Sequence, residues 1–287
     1  MSSLLAPDLS AGLWSDFLKL AGDDFDMPVI ASGTIYRGPS AIDGAPIVVV
    51  AIVRSANSKT GQMVQTYILL DDMDPQTASK TGADVSICGG CVHKGEYDEN
   101  GMLIPGSRTC YVTLWQGPRV VWEAYQAGKY QDLSTDPDAI ASLGFGRLVR
   151  LGTYGDPAAV PIHVWHNLLA HSIGHTGYTH QWRSKRLAGA FKGLVMASCD
   201  TPEDRIKARR EGWGTFTVVP QSFAINGQTF HMGTAPMLCP ASKEAGKLTT
   251  CADCRKCDGS AKADVFIPAH GATGGKYTGR RALPVMG

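Results

Sequence analysis

Gly193-Leu-Val-Met-Ala-Ser-Cys199-Asp-Thr-Pro-Glu-Asp204 joins an apolar run to a helix start, and this succession decides the fold class. The unbroken run from Gly193 to Cys199 is typical of a strand buried in a parallel sheet. Thr201 then offers an N-cap hydroxyl, followed by a proline at the first helical position and an acid three residues after the cap. The helix is expected to end near Gly212. A strand leading directly into a helix predicts a βα unit.

Similar units recur on both sides of this segment. Strands are predicted at 110–114, 148–154, 177–182, 193–199, 215–219 and 265–267, with helices at 118–127 and 160–173. Alternating strands and helices favour a parallel sheet with right-handed crossovers. The sequence therefore predicts an α/β protein with a parallel (β/α) barrel or partial barrel. A doubly wound open sheet would place its site at the same strand ends.

The N-terminal part has a different pattern. Three strand-like runs, 33–38, 47–53 and 64–70, are separated by turn residues and predict a small antiparallel β layer. Loop-rich sequence with the first cysteines follows as far as residue 109. We therefore expect an N-terminal β layer and cysteine-containing loop over 1–109, and a barrel-like domain with a C-terminal cysteine cluster over 110–287.

Four cysteines near the C-terminus carry the strongest chemical signal. Cys251, Cys254 and Cys257 place three sulfurs on one short polar loop, and Cys239 supplies a fourth from a nearby loop. Three closely spaced thiolates on one loop can readily coordinate irons of a cubane cluster, whereas coordinating a single zinc ion strains the loop more. The spacing favours a 4Fe-4S cluster. A structural zinc ion that braces the loops is the alternative.

A second cysteine group precedes residue 111. Cys88 and Cys91 flank a glycine pair that lets both sulfurs face one point. His93 or Cys110 completes a zinc tetrahedron in one interpretation, and in the other the three cysteines hold three irons of a second cluster. Cys199, at the end of an apolar run, is expected to be a packed core thiol.

Polar residues at the predicted strand ends are candidates for catalysis. Asp156, His180 and Asp200 each follow a predicted strand, where a barrel would place its active face. His180 suits proton transfer or metal ligation. Asp156 and Asp200 have a second interpretation, because each precedes a helix start and suits an N-terminal cap.

Composition limits the choice of partners. The chain has 287 residues, with 27 basic and 26 acidic side chains, so no overall field indicates nucleic acid. No apolar stretch approaches membrane-spanning length, and none is preceded by a basic secretory region, so we expect a cytoplasmic protein with reduced thiols. GxGxxG, phosphate-loop and GxSxG motifs are absent, which disfavours nucleotide hydrolysis and serine-hydrolase chemistry.

Five segments resemble an uncharacterised cysteine-rich family of bacteriophages and their bacterial hosts, and the resemblance spans nearly the whole chain. They are Asn57-Ser-Lys-Thr-Gly61, Ser86-Ile-Cys-Gly-Gly-Cys-Val-His93, Arg150-Leu-Gly-Thr-Tyr-Gly-Asp-Pro-Ala-Ala-Val-Pro161, Thr176-Gly-Tyr-Thr-His-Gln-Trp182 and Cys239-Pro-Ala-Ser242. This family implies host cytoplasm as the location but no particular activity. The architecture also looks like the six-stranded partial barrel of radical S-adenosylmethionine enzymes, although their CxxxCxxC motif is missing.

These observations predict an iron–sulfur protein, a phage-type enzyme or redox protein acting on a small molecule or nucleotide at a barrel mouth. Cys239, Cys251, Cys254 and Cys257 are the expected cluster ligands. The alternative is a zinc-braced structural or binding protein without catalysis.

Overall fold

The computed structural model describes residues 32–54, 59–221, 236–271 and 273–278. Residues 1–31 of the predicted N-terminal part lie outside these ranges. Numbered in chain order, the strands of the described residues are β1 (Ser32–Pro39), β2 (Pro46–Ile52), β3 (Met63–Leu70), β4 (Gln131–Asp132), β5 (Leu148–Tyr154), β6 (Gly174–Thr179), β7 (Met196–Cys199), β8 (Thr215–Val219), β9 (Met237–Leu238) and β10 (Asp264–Pro268).

The described helices connect or flank these strands. They are α1 (Pro75–Lys80), α2 (Val85–Cys88), α3 (Gly117–Gln126), α4 (Pro137–Gly144), α5 (Ile162–Leu169), α6 (Ala188–Phe191), α7 (Pro202–Arg210) and α8 (Cys251–Cys254). None of the helices within the described ranges has the length and apolar character needed to cross a membrane.

All these strands belong to one sheet, in the order β4-β1-β2-β3-β5-β6-β7-β8-β10-β9. The pairs β1–β2 and β2–β3 are antiparallel, and every pair from β3 to β9 is parallel. The strands β3, β5, β6, β7, β8 and β10 therefore lie side by side in chain order. Because parallel crossovers are right-handed, an order without reversal favours connections on a single face of the sheet.

The predicted mixed α/β architecture with an antiparallel N-terminal part is confirmed. The sheet formed by the described residues is open, with β4 and β9 at its edges, so it is not a closed barrel. Strands of both predicted parts contribute to this one sheet, because β3 pairs with β5.

The strand predicted at 110–114 is wrong. The amides of Thr109 and Cys110 both donate to the carbonyl of His93, at 3.0 and 2.9 Å, so the backbone entering this segment bonds to the first cysteine loop. No strand is assigned there, and β3 instead begins the parallel series. β3 has this role because one edge pairs antiparallel with β2 and the other parallel with β5.

The predicted βα unit over 193–212 is confirmed as a strand, β7, followed by a helix, α7. All four residues of β7 are buried, as expected for a central parallel strand. Thr201 caps α7 by accepting a hydrogen bond from the amide of Asp204 at 3.1 Å. Buried Arg205 then pairs with Asp264, whose carboxylate also accepts from the Thr215 hydroxyl at 2.7 Å. These contacts fix α7 to β8 and β10.

Candidate functional site

A cavity of about 390 Å³ lies where β5, β6 and β7 end. Carboxyl ends of parallel strands are the usual position for a ligand site in α/β proteins, and this volume lies within the common range for small-molecule pockets. Both cysteine groups line it, through Cys88, Cys91, Cys110, Cys239 and Cys251. Segments far apart in the sequence therefore meet at one pocket.

The later cysteines approach the pocket from two loops. Cys239 and Cys257 are buried in one apolar cluster, whereas Cys251 and Cys254 lie half-buried on α8. Burial raises the pKa of Cys257 to about 12; a hydrogen bond with Tyr178 opposes this rise, and nearby Cys239 and Cys251 add to it. Cys239 and Cys251 line the pocket, whereas Cys254 and Cys257 are not among its lining residues.

The local backbone sets the direction of these side chains. Thr250 and Asp253 form a capping box at the start of α8. Arg255 then adopts a left-handed conformation, with φ 53°, the only non-glycine residue of the described ranges to do so. A left-handed residue reverses the chain at a cost in strain, and such strain concentrates at functional sites. Arg255 is the C-cap residue of α8 and lies between Cys254 on the helix and Cys257 in the apolar cluster.

Two buried cations face these thiols. Arg150 is only 7% exposed, and none of the described carboxylates forms an ion pair with it. Burial alone would lower its pKa, but nearby Tyr111, Tyr178 and Cys251 hold the value above the ordinary one. Burial lowers the pKa of Lys59, against the opposing influence of Cys239 and Cys251. Buried charges require compensation, and thiolates bound to a metal centre would provide it.

The donor set and the charges therefore fit a metal centre held by thiolates. Within the described residues, the group of potential ligands whose donor atoms lie within 4.8 Å of one another is His93, His180 and Asp200, and no cysteine belongs to it. A single zinc ion holds its four ligands at close range, and the cysteines of the described residues do not form a group of that kind.

The three earlier cysteines also lie near one another. Burial raises the pKa of Cys88 well above its ordinary value, and Asp84, Cys91 and Cys110 raise it further. Gly89 makes this loop possible, because a Cβ at its positive φ of 53° would lie 2.1 Å from the Gln181 side-chain nitrogen. The three cysteines of the predicted metal group therefore share one wall of the pocket with His93.

His93 itself faces two partners. Its Nδ1 lies 3.0 Å from the hydroxyl of Thr109, and its Nε2 lies 3.5 Å from Oδ1 of Asp200. The ring also packs against Tyr277, with the ring centroids 4.8 Å apart. These contacts place the imidazole between the cysteine loop and the end of β7.

The three candidate catalytic residues, Asp156, His180 and Asp200, lie in this region and are linked by hydrogen bonds. Asp156 accepts hydrogen bonds from the amides of Ala158 and His180, at 2.9 and 2.8 Å, so it caps a turn and holds the His180 backbone. His180 Nε2 lies 3.3 Å from Oδ1 of Asp200. Burial alone would lower the pKa of His180, but Cys91 and Asp200 hold it well above its ordinary value. His180 is therefore tied to both a thiol and a carboxylate.

Several pocket residues were missed by the sequence analysis. Arg150 could have been predicted as a functional residue, because it is a charged residue within the otherwise apolar start of β5. Lys59 had no such signal because it lies in a turn segment, and the strand pattern predicted over 110–114 gave no sign that Tyr111 lines a pocket. Tyr111 stacks on His270, with ring centroids 5.2 Å apart, and His270 Nε2 lies 3.0 Å from Lys59 Nζ.

Cys199 behaves as a core thiol, since it is fully buried in β7. All eight cysteines of the chain are described, and none forms a disulfide. The fold and the pocket define a mixed α/β protein with a cysteine-lined pocket at the carboxyl ends of its parallel strands. Comparisons with protein-family models, with curated proteins and with solved structures gave no match.

Proposed function

We propose that this chain is an iron–sulfur protein in which Cys239, Cys251, Cys254 and Cys257 hold a 4Fe-4S cluster beside a small-molecule pocket. The observation that carries the proposal is that two of these thiols, Cys239 and Cys251, line the pocket together with buried Arg150 and half-buried Lys59. A core of packed thiols needs no buried cations, whereas a thiolate-bound cluster carries negative charge that such cations offset.

The parallel strands act in this proposal as the wall of a partial barrel. Six of them follow chain order without reversal, which is the arrangement of barrels and differs from the reversed order of doubly wound sheets. The proposed setting is the cytoplasm of a bacterial host, as the resemblance to the phage family implies.

The cluster would supply one-electron transfer when bound. The residues of the chain would bind a small molecule or nucleotide and handle its protons. Arg150 and Lys59 favour an anionic group in the pocket, and His180 is placed to hold or release a proton there. Cys88, Cys91 and Cys110 add a second set of thiols at the pocket, for a further cluster or a zinc ion.

Metal analysis of protein prepared without oxygen tests the proposal. We expect brown protein with broad visible absorbance that oxygen bleaches, and iron and acid-labile sulfide in equal amounts. Cys254→Ser should lose most of the signal of this cluster, whereas Cys199→Ser should retain it because Cys199 lies in the core of β7. Colourless protein with stoichiometric zinc that Cys254→Ser loses would establish the zinc-braced alternative. Equal metal loss in both variants would refute the ligand assignment.

A further inference from the structure

Two histidines and one aspartate converge behind the pocket at a point that the proposed cluster does not use. His180 and Asp200 follow β6 and β7, which are neighbours in the sheet, and His93 reaches them from the first cysteine loop. We propose that His93, His180 and Asp200 form a separate site for a divalent first-row transition ion. Two imidazoles with one carboxylate are a donor set that binds Fe²⁺ and related ions and leaves coordination positions open.

The distances fit metal coordination better than hydrogen bonding. Both Nε2 atoms point to the same oxygen, Oδ1 of Asp200, at 3.5 Å from His93 and 3.3 Å from His180. Nitrogen-to-oxygen hydrogen bonds usually measure about 2.7–3.2 Å, so both contacts are long. Ligand atoms bound about 2.0–2.2 Å from one ion lie roughly 3.0–3.5 Å apart, which these contacts match.

The second oxygen of Asp200 provides an independent observation. The Asp200 side chain is fully buried, and its Oδ2 has no hydrogen-bond partner among the described residues. Leaving a carboxylate oxygen buried without a partner costs free energy, and such cases in native proteins call for an explanation. A cation bound through both oxygens of the carboxylate would satisfy Oδ2 and would offset the cost of burying the charge.

The surroundings hold the three ligands in place. Thr109 bonds the remaining ring nitrogen of His93, and Asp156 holds the backbone amide of His180. The hydroxyl of Tyr277 donates to the Asp200 carbonyl at 3.2 Å. The contact between Thr109 and His93 is the kind that metal-binding histidines almost always make through their other ring nitrogen, because it fixes the ring and its tautomer.

Two of the three proposed ligands border the pocket. His93 and His180 line the cavity, whereas Asp200 is not among its lining residues. An ion held by these residues would have coordination positions directed toward the cavity, suited to water or an oxygen atom of a bound small molecule. The proposal does not depend on the cluster, since Cys239, Cys251, Cys254 and Cys257 contribute no ligand to it. With the ion bound, His180 acts as a ligand in place of the proton transfer proposed above, and His93 serves this site and not the metal group of the first cysteines.

Manganese is the probe that separates this site from the cysteines, because Mn²⁺ prefers carboxylate and water ligands and thiolate sites favour softer ions. When Mn²⁺ is added to the intact protein, the EPR signal of free aqueous Mn²⁺ should be absent until one ion per chain has bound. Pulsed EPR of the bound ion should show couplings from imidazole nitrogen. Absence of Mn²⁺ uptake, or bound Mn²⁺ without nitrogen couplings, would overturn the proposal in the unaltered protein.

Three variants complete the test. Asp200→Asn keeps the size of the side chain but should weaken Mn²⁺ binding by on the order of 100-fold, since losing even an outer-shell partner costs about 10–100-fold. Asp71→Asn is the matched control, because Asp71 pairs with Arg37 and is not among the residues that line the pocket, and it should bind as the unaltered protein does. Cys254→Ser should lose the cluster and keep Mn²⁺ binding. Unchanged binding by folded Asp200→Asn would refute the assignment, whatever the cluster analysis shows.

Discussion

Arg150 shows what one residue contributes to the proposed cluster site. It lies in an apolar strand, is almost fully buried, and has tyrosines and a cysteine thiol around it in place of a carboxylate. Its guanidinium contacts the Tyr111 hydroxyl at 3.1 Å and lies over the Tyr178 ring. A buried cation of this kind favours the more negative state of a neighbouring redox centre.

We therefore expect Arg150→Met to make the reduction potential of the cluster more negative. Removing the positive charge disfavours the reduced, more negative cluster, and a shift of about 59 mV corresponds to a tenfold change for a one-electron step. Redox titration of the visible or EPR signal measures it. Arg119→Met is the control, because Arg119 is exposed on α3 and pairs with Glu123. An unchanged reduction potential in Arg150→Met would show that the charge of Arg150 does not act on the cluster.

At the scale of single elements, prediction succeeded where the signal was local. The bounds of β5 and β8 match the predicted strands, since apolar runs and flanking turn residues define them without reference to the rest of the chain. The segment 110–114 has a similar composition, but the strand predicted there does not form. Tyr111 is 47% exposed and stacks on His270, so its aromatic ring lines the pocket and does not pack within a sheet.

The buried pair between Arg205 and Asp264 controls how α7 docks on the sheet. Arg205 Nε lies 2.9 Å from Asp264 Oδ1 in a bidentate contact, and Arg205 is 4% exposed. Arg205→Met should lower the free energy of unfolding by about 3–5 kcal/mol, because it leaves the Asp264 carboxylate without its partner. Chemical denaturation gives the value. Arg119→Met, at an exposed pair, should change it by no more than about 1 kcal/mol, and similar losses in both variants would contradict this account.

At the scale of the whole described structure, the pocket depends on contacts that no local pattern encodes. Cysteine spacing identified both thiol groups, because that signal lies within a few residues. The grouping of His93 with Asp200 was not predictable, since the two residues come from segments more than a hundred positions apart. Lys59 joins the later cysteines only because the amides of Cys251 and Ala252 donate to the carbonyls of Lys59 and Thr60, at 3.1 and 3.0 Å.

Those two backbone bonds attach the C-terminal cysteine loop to the segment that precedes β3, and a bound cluster would strengthen that attachment. A ligand present at about a thousand times its dissociation constant stabilises a protein by about 4.1 kcal/mol. Removing the cluster should therefore lower the midpoint of thermal unfolding by roughly 8–16 °C, at about 2–4 °C for each kcal/mol in a chain approaching this size. Calorimetry before and after chelation under reducing conditions measures the shift. Cys199→Ser should show the same shift on chelation as the unaltered protein, because its thiol lies in β7 and not at the metal centre. A midpoint that is insensitive to chelation would show that the cysteine loop is held by backbone bonds and packing alone.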